Sequence, residues 1–120
     1  MGEHKSRFLV KQRAFLKIYL ISMAEKEQLY GKKYQEVIIN KFKNYGYKPN
    51  HSEIYKSLYE LIDDGILARK EKIKEGMKYQ KVVNYIIKDT DKVKLYKKQL
   101  KVELDRCYGL LGQAIQDIYK

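Results

Sequence analysis

A 120-residue chain with 26 Lys and Arg against 15 Asp and Glu, a net charge of +11, has room for one domain and a modest core. Its charge favours polyanionic partners, nucleic acid first, although general surface solubility is the plainer reading of charge alone. No apolar run is long enough to span a bilayer, no secretory leader pattern opens the chain, and Cys107 is the only cysteine, so the expectation is a cytoplasmic, nucleoid-associated protein without a membrane partner, disulfide or cysteine zinc cluster.

Residues 1–10 read as a basic N-terminal arm that continues into the first helix. From Lys5 to Lys17 the chain holds five basic residues, Lys5, Arg7, Lys11, Arg13 and Lys17, and no acid. Between residues 11 and 23, Phe15, Leu16, Ile18, Tyr19, Leu20 and Met23 predict a largely buried helix. Lys11, Arg13 and Lys17 lie near its start, where positive charge opposes the helix dipole; phosphates neutralising them in a complex explain that placement better than tolerated surface lysine. A polar turn is expected over 24–28, then Leu29-Tyr30-Gly31 as a connector open to brief strand pairing. In the second helix Tyr34, Val37, Ile38, Phe42 and Tyr45 are spaced for one buried face, and Gly46 ends it.

The most informative stretch runs from 48 to 88. Pro49 cannot occupy a helix interior, Asn50 is a good N-cap, and Glu53 stands where a capping box needs an acid. Ile54, Leu58, Leu61 and Ile62 form the apolar face of a third helix that Asp63-Asp64-Gly65 closes. Its other face carries His51, Ser52, Glu53, Lys56, Ser57 and Glu60, groups that reach base edges or phosphates. Helices two and three are separated only by a turn around 46–49, which is helix-turn-helix spacing. Two β-rich runs follow, 66–73 and 77–88, joined by Lys74-Glu75-Gly76. Lys70, Lys72, Lys74 and Lys78 concentrate positive charge toward the tip of this hairpin, and Val83, Tyr85 and Ile87 point inward. A charged edge also protects a sheet from aggregation, but here it directly follows a candidate reading helix.

From 91 to 118 the chain reads as one long helix. Val93, Leu100, Leu104, Cys107, Leu111, Ala114 and Ile118 mark an alternating three-four seam broken by Lys97. At 1.5 Å per residue it would be about 40 Å long, more than so small a body can cover, so part of it projects or pairs, most simply in a two-fold homodimer; folding back onto its own domain is the competing account. The expected architecture is α+β: a winged helix-turn-helix of three helices and a β-hairpin wing over 11–88, with a C-terminal coiled-coil dimerisation helix over 89–120.

Enzyme signatures are missing. Gly31-Lys32-Lys33 lacks the rest of a nucleotide-binding loop, His4 and His51 have no third ligand at metal spacing, and Asp63-Asp64 read as turn residues. Double-stranded DNA binding without catalysis, cofactor or metal is expected.

The runs Phe8-Leu9-Val10-Lys11-Gln12-Arg13-Ala14-Phe15-Leu16-Lys17, Lys48-Pro49-Asn50-His51, Asp63-Asp64-Gly65-Ile66-Leu67 and the stretch from Lys94-Leu95-Tyr96-Lys97-Lys98-Gln99-Leu100 to Asp105-Arg106-Cys107 closely resemble the replication terminator protein family of Bacillus. The resemblance implies a winged-helix homodimer joined by its C-terminal helices, binding terminator DNA and arresting the replication fork from one direction, with a second dimer on an adjacent half-site. By position it places the arm with Lys11 and Arg13 on phosphates or minor groove, His51, Ser52, Glu53 and Lys56 in the major groove, and Lys72, Lys74 and Lys78 on flanking backbone. It puts Tyr85 on the strand leading from the wing. It also implies that Glu27 and Tyr30 lie on a surface that meets the replicative helicase or another dimer. Ser52 and Lys56 stand where the family has Thr and Arg, and lysine lacks arginine's bidentate fork. After Cys107 the likeness fades.

Two other readings compete. Leu29-Tyr30-Gly31 and Ile54-Tyr55 with Leu58, Leu61 and Gly65 also look like the PadR group of winged-helix repressors. A nucleoid-type protein that coats DNA without sequence preference is the third.

Overall fold

The computed structural model describes residues 8–26, 31–73 and 81–119, with the side chains of 31, 32, 72, 73 and 81 excepted. In chain order the elements are α1 (Gln12–Glu25), α2 (Gly31–Phe42), a 3-10 turn η1 (Lys43–Tyr45), α3 (His51–Asp63), β1 (Leu67–Ile73), β2 (Lys81–Ile87) and α4 (Thr90–Ile118). Helices α1 to α3 enclose a core centred on Leu16, Leu20, Ile38, Ile54, Leu58 and Leu61, all essentially without exposure. The strands form one antiparallel hairpin with Leu67 opposite Ile87, Arg69 opposite Tyr85 and Glu71 opposite Val83. Leu67 and Tyr85 enter the core, and Val83 and Ile87 pack partly buried against it. Three helices followed by a hairpin, with a long helix beyond, is the α+β winged-helix arrangement.

Helix α1 is longer than its apolar pattern suggested. Met23 and Ala24 are buried, and the helix continues to Glu25, so the expected polar turn at 24–28 begins only at Lys26. The rest of that turn and Leu29 and Tyr30 lie outside the described residues, as do Lys74-Glu75-Gly76 and the expected start of the second strand.

Tyr45 is a second correction: it is 83% exposed rather than buried. The last turn after α2 tightens into the 3-10 helix, which advances each residue by about 120° instead of 100° and rotates Tyr45 outward. Tyr47 fills the space instead. Its ring centroid lies 5.7 Å from Phe15 and 5.9 Å from Phe42, in edge-on geometry that ties the helix-turn-helix turn to α1. Gly46 ends the turn with φ +73, and Gln35 Nε2 donates to the Pro49 carbonyl at 3.1 Å, fixing the entry to α3.

Helix α4 begins at an Asp89 cap that accepts from the backbone N–H groups of Asp91 and Lys92. Its first half packs on its own domain: Val93 joins the core, and the Tyr96 hydroxyl donates to the Ala14 carbonyl at 3.1 Å. Lys97, the break in the seam, pairs with Glu25 at 2.7 Å. Beyond Cys107 it runs clear of the core, and the molecule measures 60 × 35 × 22 Å.

Candidate nucleic-acid interface

Helix α3 has a defined start and stop. The Asn50 side chain accepts from the Glu53 N–H at 2.9 Å while the Glu53 carboxylate accepts from the Asn50 N–H at 3.0 Å, a complete capping box. At the other end Gly65 takes φ +75, and its N–H and that of Ile66 donate to the carbonyls of Ile62 and Leu61. Between these ends the buried side is Ile54, Ser57, Leu58 and Leu61.

Ser57 therefore does not belong to the outward polar face. Its hydroxyl donates to the Glu53 carbonyl at 2.8 Å, which satisfies it inside the core. The positions directly across the helix from the core are Ser52, Lys56, Tyr59 and Asp63, all exposed. The outward face has two flanks. On the wing side, His51 stacks against Tyr55 with ring centroids 6.3 Å apart. On the α1 side stand Glu53 and Glu60.

Those two acids bind α1 to α3. Gln12 Nε2 donates to Glu53 Oε2 at 3.1 Å, and the two Glu60 oxygens each meet a cation at 2.7 Å, Arg13 on one and Lys17 on the other. Hydrogen bonding from Lys17 leads the causes that hold Glu60 below its ordinary carboxylate value, with Arg13 adding to it against a desolvation penalty. The counter-charge expected from phosphates alone at the start of α1 is thus supplied, for Arg13 and Lys17, within the chain. Lys11 occupies the N-cap position of α1, exposed, without a side-chain cap bond.

On the hairpin, Lys70 is exposed and lies opposite Asn84. Arg69, on the alternate face, pairs with Glu71 at 2.6 Å. Lys5, Arg7, Glu27, Tyr30, Lys74 and Lys78, and the side chain of Lys72, fall outside the described residues. Of the expected groups, α3 brings His51, Ser52 and Lys56 together on open surface, whereas Asn50 and Glu53 are engaged in the cap. Tyr59 and Arg69 were not singled out by sequence reasoning. The spacing of Tyr59, three after Lys56 and seven after Ser52, carried that signal; nothing comparable marked Arg69 before the strand register was known.

Along α4 the apolar seam divides. Val93, Leu100 and Cys107 are buried within the chain, Leu104 and Ala114 are half-buried, and Leu111 and Ile118 are exposed, with Ile115 exposed beside them. The half-buried Arg106 crosses to the arm, donating to the Phe8 carbonyl at 3.2 Å. Between α1, α2 and α4 lies an open groove of about 600 Å³ with Ile18, Met23, Val37, Leu100 and Leu104 in its lining and Lys26, Lys41 and Lys101 among its polar groups.

A family model for the replication terminator protein matches residues 7–119. The replication termination protein of Bacillus subtilis (strain 168) is 60% identical over 110 residues, which span 92% of this chain and 90% of that protein. Among solved structures, a transcriptional regulator from Clostridium thermocellum superposes with a TM-score of 0.62 at 18% identity, over 90% of this chain and 96% of that one. Bacillus subtilis PadR in complex with operator DNA superposes with a TM-score of 0.54 at 24% identity, over 71% of this chain and 46% of that one. The structural likenesses carry the winged-helix fold and no more.

Proposed function

The chain belongs to the replication terminator protein family, and from that premise we propose that it binds terminator sites in double-stranded DNA as a homodimer and arrests an approaching replication fork from one side only. The observation that carries this reading is the outward face of α3, where Ser52 and Lys56 stand open across the helix from a packed core, in a chain 60% identical to a replication termination protein. A capped, rigid helix presented this way fits the width of a major groove, where its side chains meet base edges.

In the proposed complex Ser52, Lys56 and His51 approach the bases. Lys11, with Lys5 and Arg7, lies along phosphates, and Lys70, Lys72, Lys74 and Lys78 hold the flanking backbone. Arg13 and Lys17, shared with Glu60, brace α3 against α1 and contribute to the field as well. Asn50 and Glu53 act through the cap that orients the helix. Two copies join through the distal part of α4: Leu111, Ile115 and Ile118 of one subunit fill the groove between α1, α2 and α4 of the other. Such pairing covers apolar surface that a lone helix end leaves in water. Glu27 and Tyr30 are assigned to the face that meets the helicase or a second dimer on an adjacent half-site.

A strand-separation assay with the replicative helicase entering from each side of a bound site tests this function. The reading requires strong blockage in one orientation and passage in the other. Equal passage in both directions would leave a DNA-binding protein without fork-arrest activity.

A further inference from the structure

Tyr59 is the largest side chain on the outermost line of α3, and 55% of its surface is open. A single exposed apolar residue is ordinary on any protein, so exposure alone says little. Its place says more. It lies on the same ridge as Ser52 and Lys56, one turn beyond Lys56 toward the C-terminal end of α3, and the next position on that ridge, Asp63, carries a charge that phosphates repel. Tyr59 is therefore the last residue of α3 suited to close approach by a duplex.

Tyr85 lies opposite Arg69 in the hairpin, and Arg69 is held by Glu71 at 2.6 Å. Burial raises the Tyr85 pKa, with Tyr55 and Tyr59 raising it further and Arg69 opposing them. An aromatic side chain with only two rotatable angles loses little freedom when it meets a ligand.

We propose that Tyr59 is a specificity-determining residue that reads thymine at the end of each half-site faced by the C-terminal turns of α3, its ring packed on the thymine methyl group in the major groove. The assignment rests on α3 being the groove-entering helix. Apolar contact with the thymine methyl is one of the direct modes of base readout, and no other exposed residue on the ridge offers an apolar surface of this size. A hydroxyl resting on phosphate would instead add affinity without sequence preference.

Selection of bound duplexes from a random DNA pool, run in parallel with the full wild-type chain, Tyr59→Ala and Tyr59→Phe, tests the assignment. Circular dichroism verifies that each variant is folded. Tyr59→Ala is expected to lose the thymine preference at one or two base pairs of each half-site and to bind the wild-type site about tenfold more weakly, with the salt dependence unchanged. Tyr59→Phe is expected to keep the preference. Selected profiles that are identical for wild type and Tyr59→Ala, or a phenylalanine variant that loses the same positions, would overturn the proposal. A wild-type chain that enriches no sequence would instead overturn the reading of α3 itself.

Discussion

Glu60 is placed where one carboxylate restrains two cations of the first helix, and this makes it a control point for charge as well as for packing. Its pKa is depressed, so the pairing stabilises the fold above the ordinary carboxylate value of 4.5 and is lost as pH falls through the lower folded value. Glu60→Gln should flatten the acid limb of the stability curve, measured by chemical denaturation across pH. The same change leaves Arg13 and Lys17 without their carboxylate, so binding to random DNA should tighten and its salt slope steepen by about one phosphate contact or less. Alkaline behaviour has a different origin. Burial, joined by Tyr85 for Tyr34 and by Asp64 and Glu60 for Tyr96, pushes both tyrosines up to about 12. Such groups stabilise the fold while neutral, in full below the unfolded value of 10. Stability should fall steadily between pH 10 and 12, and Tyr96→Phe should reduce that fall while removing the hydrogen bond to Ala14, worth about 1 kcal/mol at neutral pH.

At the level of elements, α3 depends on its cap. Asn50→Ala should cost about 1 kcal/mol in thermal or urea unfolding and weaken DNA binding through a frayed first turn, where His51 and Ser52 stand. The cap was also what made α3 legible in the sequence, because Asn50, Glu53 and Gly65 are local signals whose physics needs no tertiary information. Ser57 was misplaced for the complementary reason. Serine is usually at the surface, and only the bond to the Glu53 carbonyl lets it sit in the core. Tyr45 was misplaced because a helical period was carried through a turn that tightens to 3-10. Of the candidate site, the polar ridge with Ser52 and Lys56 could be read from spacing. The roles of Glu53 and Glu60 as braces for α1 could not, since their partners are more than 40 residues away in the chain and depend on how two helices cross.

At the scale of the molecule, α4 is divided between its own domain and solvent. Its first half is part of the domain, through Val93, Tyr96 and Lys97, and its second half presents Leu111, Ile115 and Ile118 to solvent. The seam was visible in the sequence, but its division was not, because a repeat of apolar residues does not say whether its cover comes from its own chain or from a partner. If the distal half pairs as proposed, the double substitution Leu111→Asp and Ile115→Asp should give single copies in sedimentation equilibrium while leaving the circular dichroism of the winged-helix body in place. The affinity for a complete site should then drop by two orders of magnitude or more, because the second reading helix is no longer tethered at a high effective concentration.

Binding isotherms measured over a range of salt, on a duplex selected by the protein and on a random duplex of equal length, test most directly whether α3 reads sequence. At physiological salt the selected duplex should bind at least about a thousandfold more tightly, with a gap that persists as salt rises. Equal affinity on both duplexes, falling with the same slope, would mean that the +11 charge coats DNA and that the outward face of α3 reads nothing.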